Sequence, residues 1–384
     1  MLLLTNNINN TNNTNNTNNT NVMKVLISGG GTGGHIFPAI SIANALSRRD
    51  PSTEILFVGA LGRMEMERVP AAGYEIVGLP VAGFDRSRLW RNFGVLIKLG
   101  RSMLKARKIM RDFQPDVAVG VGGYASGPML REAQRRGIPT VIQEQNSYPG
   151  VTNKLLAPKA KAICVAYDNT DRFFPAELIE ITGNPVRADL LTLDITRAEA
   201  KRRLGMDPER PVVFVTGGSL GARTINTSIA DNLDLLTRDG AQLLWQTGRN
   251  DAERWRQAAE GREGVTATEF VADMAVAYRA ADLVVARAGA CTISELQLLG
   301  KPAILVPSPN VAEDHQRRNA EALANRGAAV MVLDADAASD LAPAVVNLLG
   351  DNDRLASLVD NISKMALPGA DDKIVDRIYK ILNR

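Results

Sequence analysis

His35 is one of only two histidines in the 384-residue chain, and it closes a glycine-rich run, ISGGGTGGHIFPAI, residues 27–40. A neutral imidazole at the mouth of such a loop can accept a proton. The run also has the make-up of an anion site. Gly29, Gly30, Gly31, Gly33 and Gly34 let the backbone turn sharply and approach a phosphate, while free N–H groups and a helix dipole supply positive potential. Residues 24–28 before it read as a strand. The helix after it is expected from Phe37 or Pro38, where a first-turn proline costs no hydrogen bond. The alternative for His35 is structural: a ring that bonds a backbone group to brace the loop.

Gly29, Gly31 and Gly34 also satisfy GxGxxG, with Glu54 about twenty residues on, as in dinucleotide-binding enzymes. Two further glycine turns, GGYASGP at 122–128 and GGSLG at 217–221, weigh against that reading. An NAD-dependent oxidoreductase needs one such loop; three favour two phosphorylated ligands facing each other.

Three polar clusters follow apolar runs. In QEQNSYPG, residues 143–150, Glu144 could act as a base or orient one, and Asn146 could bond a sugar hydroxyl or a carbonyl; a local Asn/Pro turn is the alternative. In RAGACTISE, residues 287–295, Thr292 or Ser294 could cap the next helix with Glu295 in its first turn. Glu295 could equally grip the hydroxyls of a ribose. In EDHQRRNA, residues 313–320, His315, Gln316 and Asn319 point to polar ligand contacts. Asp334/Asp336 and Asp351/Asp353 match a DxD spacing, but one pair follows a late strand and the other sits in a polar turn, so no metal is expected. Cys164 and Cys291 have no CxxC or Cys/His grouping near them, which indicates neither zinc nor a disulfide and fits a reducing cytoplasm.

The elements that must carry these residues are legible as alternating short apolar runs and helical patterns. Runs at 54–59, 117–120, 140–142 and 163–166 form one series, and runs at 211–216, 242–246, 283–286 and 303–306 form a second. The fold class is therefore α/β, with two doubly wound, Rossmann-like domains and a cleft between them. The expected division is 23–186 and 187–367. Residues 181–187 serve as the linker.

The composition is that of an ordinary soluble protein, 45% hydrophobic and 23% charged. No apolar run reaches the ~18 residues of a membrane span. Residues 1–22 are largely an Asn/Thr repeat that cannot bury a core, so disorder is expected there, and Met23 is the suspected true start. Residues 1–186 carry a net charge of +7 and residues 187–384 a net −4. Between Arg86 and Arg111 lie nine basic residues and no acid, interleaved with Leu89, Trp90, Phe93, Leu96, Ile97, Met103 and Leu104. Such a segment is either an amphipathic helix with a solvated basic face or a surface for anionic lipid headgroups. No nucleic-acid motif accompanies it.

In this order, GGGTGGHIFPA, GGYASGP, QEQN, GNPVR, GGSLGAR, EFVADM, ACTISE and DHQRRNA resemble the bacterial peptidoglycan glycosyltransferases that add N-acetylglucosamine to undecaprenyl-diphosphoryl-muramyl-pentapeptide, the MurG family. The resemblance spans residues 23–384 and implies a GT-B type fold, in which a C-terminal helix in 368–384 returns to the first domain, and an inverting transfer without a cofactor. It implies that the donor, UDP-N-acetylglucosamine, lies mainly against the second domain. Ser219 would meet its diphosphate and the Val271 main chain its uracil. Ala290, Cys291, Thr292, Ile293, Ser294 and Glu295 would surround the nucleotide, with Glu295 on the ribose and Gln316 on the sugar. Arg187 would add positive charge, and Thr32, Gly33, Gly34 and Asn146 would complete the site. The first two glycine loops would also cradle the acceptor's diphosphate. His35 is the first choice of base and Glu144 the second. A lipid-linked acceptor implies a peripheral protein at the cytoplasmic face of the inner membrane, meeting it through residues 86–111. Gln143, Leu220 and Cys291 depart from the family's usual histidine, glutamine and aliphatic residue, and none of the three removes a group the chemistry requires.

Overall fold

The computed structural model describes residues 22–81, 93–311 and 314–384. The Asn/Thr repeat, and Arg86, Arg88, Leu89, Trp90 and Arg91 of the basic segment, lie outside them, as does any side-chain account of Phe93 and Leu96.

Short runs of β-branched and aliphatic residues, buried on both faces, form two wholly parallel sheets. The first contains β1 (Lys24–Ser28), β2 (Glu54–Ala60), β3 (Glu75–Leu79), β4 (Val117–Gly120), β5 (Thr140–Glu144), β6 (Ala162–Val165) and β7 (Ile179–Ile181), in the order β3-β2-β1-β4-β5-β6-β7. The second contains β8 (Val212–Thr216), β9 (Gln242–Gln246), β10 (Val265–Thr268), β11 (Leu283–Ala286), β12 (Ala303–Leu305) and β13 (Val330–Met331), in the order β10-β9-β8-β11-β12-β13. Each sheet reverses its winding beside its first strand, between β1 and β4 and between β8 and β11. Ligands of open parallel sheets bind beyond the strand carboxyl ends at that reversal. All three glycine loops leave strands that flank the two reversals: β1, β4 and β8.

The edge strands β3, β7, β10 and β13 were not among the apolar runs. They are short and partly exposed, so their apolar signal is weak. Ile181, assigned to the linker from sequence, is the last residue of β7, and the linker starts at Thr182.

Two helix starts also differ from expectation. The first helix is Gly33–Arg49, four residues earlier than predicted, because Thr32 adopts an extended backbone at the N-cap (φ −145°, ψ 157°) and the two glycines make the first turn. Pro38 then lies inside the helix. The helix Ala290–Leu299 begins after Gly289, so Thr292 and Ser294 sit within it instead of capping it, and Glu295 falls in its second turn.

The closing helix, Ala370–Leu382, returns to the first sheet. Its Ile374, Val375 and Ile378 are buried with Val25, Ile42 and Leu46. Each such side chain contributes about 1.5–3 kcal/mol by burial. Arg48 reaches Asp371 and Asp372 at 3.0 Å each, and Arg49 reaches Asp376 at 2.9 Å.

The basic helix Phe93–Phe113 splits its faces. Ser102, Ala106, Ile109 and Met110 turn inward, whereas Ile97, Arg101, Leu104 and Lys108, at helical spacing, stay exposed. No described helix is long and apolar enough to cross a membrane.

Candidate active site

The first two glycine loops touch. A Cβ on Gly123, which has φ +84°, would stand 2.3 Å from the Gly30 carbonyl oxygen, so only glycine allows this approach. Ser126 locks the pair by donating its hydroxyl to the carbonyls of Ser28 (2.6 Å) and Gly122 (2.9 Å). Glu65, buried, braces the first loop from beneath: its two carboxylate oxygens accept the N–H of Gly31 (3.0 Å) and of Ala60 (2.9 Å).

His35 sits between these loops. Its Nδ1 lies 3.0 Å from the Gly30 carbonyl oxygen and 3.4 Å from the Thr32 hydroxyl. Only a protonated Nδ1 satisfies a carbonyl, which leaves Nε2 as the acceptor of the neutral ring. Nε2 borders the second loop, within 2.9 Å of where a Cβ on Gly122 would be. Burial lowers the His35 pKa below 6.5, against the opposing pull of Glu144 and the Gly30 carbonyl, so the ring is neutral at pH 7. Gly33 and Gly34 lie in the first turn, where backbone N–H groups have no intrahelical acceptor.

Glu144 ends β5 with its carboxylate fully engaged. It accepts Asn146 N–H (3.0 Å), Asn146 Nδ2 (3.1 Å), Gly150 N–H (3.1 Å) and Asn153 Nδ2 (2.8 Å). These four bonds anchor the Asn146 turn. The turn in turn meets the second domain. Asn319, in the helix His315–Ala324, accepts Ser147 N–H (3.1 Å) and Ser147 hydroxyl (2.8 Å), and donates to Asn146 Oδ1 (3.3 Å). Asn184 of the linker makes a second tie, accepting from Gln143 Nε2 (2.9 Å) and donating to Gln145 O and Ser294 Oγ (3.0 Å each).

On the second domain, Glu295 accepts the Tyr278 hydroxyl at 2.9 Å and pairs with Arg187 at 3.4 Å. Burial raises the Glu295 pKa, and Arg187 opposes the rise. The Arg187 guanidinium also lies 5.5 Å above the ring of Phe37, from the first domain, and its Nε is buried with no hydrogen-bond partner. Ala290 and Cys291 open their helix toward the cleft, whereas Ile293 is wholly buried in the domain core. Ser219 stands exposed on the third loop. The Val271 N–H is committed to Gln246 Oε1 at 2.9 Å. Gln316 uses Oε1 to accept the Ser308 N–H (2.9 Å). The structure thus brings His35, Asn146, Arg187, Cys291 and Glu295 to the domain junction, while Ser219 and Val271 make no hydrogen bond across it among the described residues.

Family models for the N-terminal and C-terminal domains of glycosyltransferase family 28 match residues 25–165 and 212–374. The UDP-N-acetylglucosamine–N-acetylmuramyl-(pentapeptide) pyrophosphoryl-undecaprenol N-acetylglucosamine transferase of Parabacteroides distasonis is 56% identical over 364 residues, 94% of this chain and 99% of that protein. The chain belongs to glycosyltransferase family 28. The protein of the same name from Porphyromonas gingivalis is 57% identical over 363 residues, 94% of this chain and 96% of its own. The crystal structure of Acinetobacter baumannii MurG superposes with a TM-score of 0.73 at 27% identity, covering 93% of this chain and 99% of that one.

Membership in family 28 sets aside the dinucleotide reading of the first loop, and the position of Glu54 shows why the pattern misled. Glu54 starts β2, pairing with Lys24 at 2.9 Å at the amino ends of the strands, the far side of the sheet from the loop. The two DxD pairs serve the fold. Asp334 binds Arg287 (2.5 Å) and Thr224 (3.0 Å), and Asp351 caps the helix Asn352–Lys364 through the Arg354 N–H (2.8 Å). Glu65, Asn184, Gln246 and Tyr278 were missed from sequence. Nothing local distinguishes them, because each acts on a partner 15 or more residues away.

Proposed function

We propose that this chain transfers N-acetylglucosamine from UDP-N-acetylglucosamine to a muramyl hydroxyl of undecaprenyl-diphosphoryl-N-acetylmuramyl-pentapeptide, inverting the anomeric centre. The observation that carries the mechanism is the fixed tautomer of His35, with Nδ1–H on the Gly30 carbonyl and the Nε2 lone pair beside the second loop. As the acceptor oxygen bonds to the anomeric carbon, its proton passes to Nε2, and the bond to the UDP oxygen breaks with its electron pair leaving on UDP. The N-terminus of the helix Ala290–Leu299, Ser219 and Arg187 meet the charge that develops on the diphosphate. Arg187 Nε is a buried donor available for that purpose. Glu295 and the Val271 carbonyl hold the ribose and uracil, Gln316 the sugar, and Thr32, Gly33, Gly34 and Asn146 close the site from the first domain. Glu144 holds the Asn146 turn in place. The exposed Ile97, Arg101, Leu104 and Lys108 lie against anionic lipid at the cytoplasmic face of the inner membrane, where a lipid-linked acceptor resides.

The test is transfer of label from UDP-N-acetylglucosamine to a lipid-linked muramyl-pentapeptide by the purified chain. His35→Ala is expected to lose about 10²–10⁴-fold in turnover while donor affinity stays within about twofold. Near-normal turnover of that variant removes His35 as the base. Donor bound by the unmodified chain but never transferred overturns the transferase reading itself.

A further inference from the structure

A cavity of about 450 Å³ opens at the end of the second sheet opposite the glycine loops. Pro211, Asp282 and Pro302 on its lining immediately precede or lead into β8, β11 and β12, so it lies at the amino ends of the strands. Substrates of such sheets bind at the carboxyl ends. The cavity is therefore separate from the transfer site, and its volume falls within the ~300–1,000 Å³ of small-molecule sites.

Its walls divide by chemistry. Leu190, Ala275, Leu299, Leu355 and Val359 give an apolar side, and Arg197, Arg279 and Lys301 surround Asp282 on the other. Asp282 is already committed, to Arg197 at 2.7 Å, to Lys201 at 2.9 Å and to the Val212 N–H at 2.9 Å. Among the described residues, the remaining two basic side chains hydrogen-bond only to carbonyls. Arg279 donates to the Leu193 carbonyl (3.0 Å), and Lys301 Nζ to the carbonyls of Ala281 (2.8 Å) and Arg279 (3.5 Å). Lys301 is 7% exposed. Four basic side chains thus share one carboxylate beside an apolar-walled cavity, and charging a buried amine without a counter-ion is costly. Burial and the Arg197 guanidinium pull the Lys301 pKa down to about 7, with Arg279 and Lys201 adding to the fall and Asp282 resisting it.

We propose that this cavity binds a small amphipathic carboxylate, its head between Arg279 and Lys301 and its alkyl tail along Leu299, Leu355 and Val359. The bound carboxylate supplies the counter-ion that Lys301 lacks and returns it to the charged form, so binding takes up a proton near neutral pH. The inference does not depend on the transferase reading.

Calorimetric titration of the full chain with sodium octanoate at pH 7.5, in Tris and in triethanolamine, tests it. Saturable binding is expected, with an enthalpy that differs between the two buffers because the proton taken up is released by each buffer with a different heat of ionisation. Octyl glucoside, with the same tail and no charge, is expected not to saturate. Arg279→Gln, at an exposed position, should weaken octanoate by about tenfold, and Lys301→Met should abolish the buffer dependence. Absence of saturable heat, or octanoate binding unchanged by Arg279→Gln, overturns the proposal. Arg279→Gln decides the matter even where Lys301→Met does not fold.

Discussion

Cys291 Sγ lies 3.4 Å from the carbonyl oxygen of Gly34, a thiol of the second domain donating to a helix of the first. That carbonyl would ordinarily accept the N–H of residue 38, and residue 38 is proline. A proline inside the first helix therefore leaves an acceptor free at the domain junction, and Cys291 fills it. With the Asn319–Ser147 and Asn184–Ser294 bonds, this contact joins the two walls of the cleft.

The thiol must stay protonated to donate. Burial pushes both Cys291 and Cys164 up to about 12, so at pH 8 only ~10⁻⁴ of either is thiolate, the reactive form. Iodoacetamide at pH 8 is expected to leave both cysteines of the native chain unmodified and to label both in guanidinium. Rapid labelling of Cys291 in native protein would mean that the junction is open most of the time.

With His35 as the proposed base, its titration sets the acid limit of turnover. Its folded pKa lies below the ordinary 6.5, so kcat/KM should fall only as pH drops beneath that value. The linkage has the same direction: the unfolded chain binds the proton more readily, so this contribution to stability is complete above 6.5 and is lost as pH falls through the folded value. Glu65 raises the His35 pKa by its charge as well as holding Gly31. Glu65→Gln should lower kcat about tenfold, since an amide cannot accept both backbone N–H groups. It should also move the acid limb to lower pH. A lower kcat with an unmoved limb would confine Glu65 to bracing the loop.

Glu295 illustrates a site residue held against stability. Burial raises its pKa above the unfolded value, so its charged form weakens the fold above that value and the weakening is relieved at low pH. Glu295→Gln is expected to raise the melting temperature by ~1–3 °C at pH 7. Donor affinity should fall at least ~10-fold in the same variant. A lower melting temperature would show that the Arg187 and Tyr278 bonds outweigh the burial.

Co-sedimentation with phosphatidylglycerol vesicles tests the proposed lipid contact of the helix Phe93–Phe113. Each basic residue near such a surface is worth ~1 kcal/mol. Replacing Arg101 and Leu104 together by Glu should therefore reduce binding by at least ~10-fold, and salt should weaken the unmodified chain. Equal binding of the double variant would place the lipid contact elsewhere.

Strands β1, β4, β9 and β11 were readable to the residue, because a strand buried on both faces is a continuous apolar run bounded by polar or glycine residues. The three glycine loops, His35 and the family motifs were equally plain, since each is a local pattern. The half-exposed edge strands, and a helix start governed by the backbone of Thr32, lacked such a pattern. Partners were not legible at all. Glu65 was invisible as the brace of Gly31, 34 residues earlier, and the ligand-like Asn319 proved to clasp Ser147, 172 residues away. Periodicity and turn chemistry act between near neighbours in the chain. Which buried oxygen meets which donor depends on how parallel crossovers bring loops to the same end of two sheets, and that is fixed only once both domains are packed.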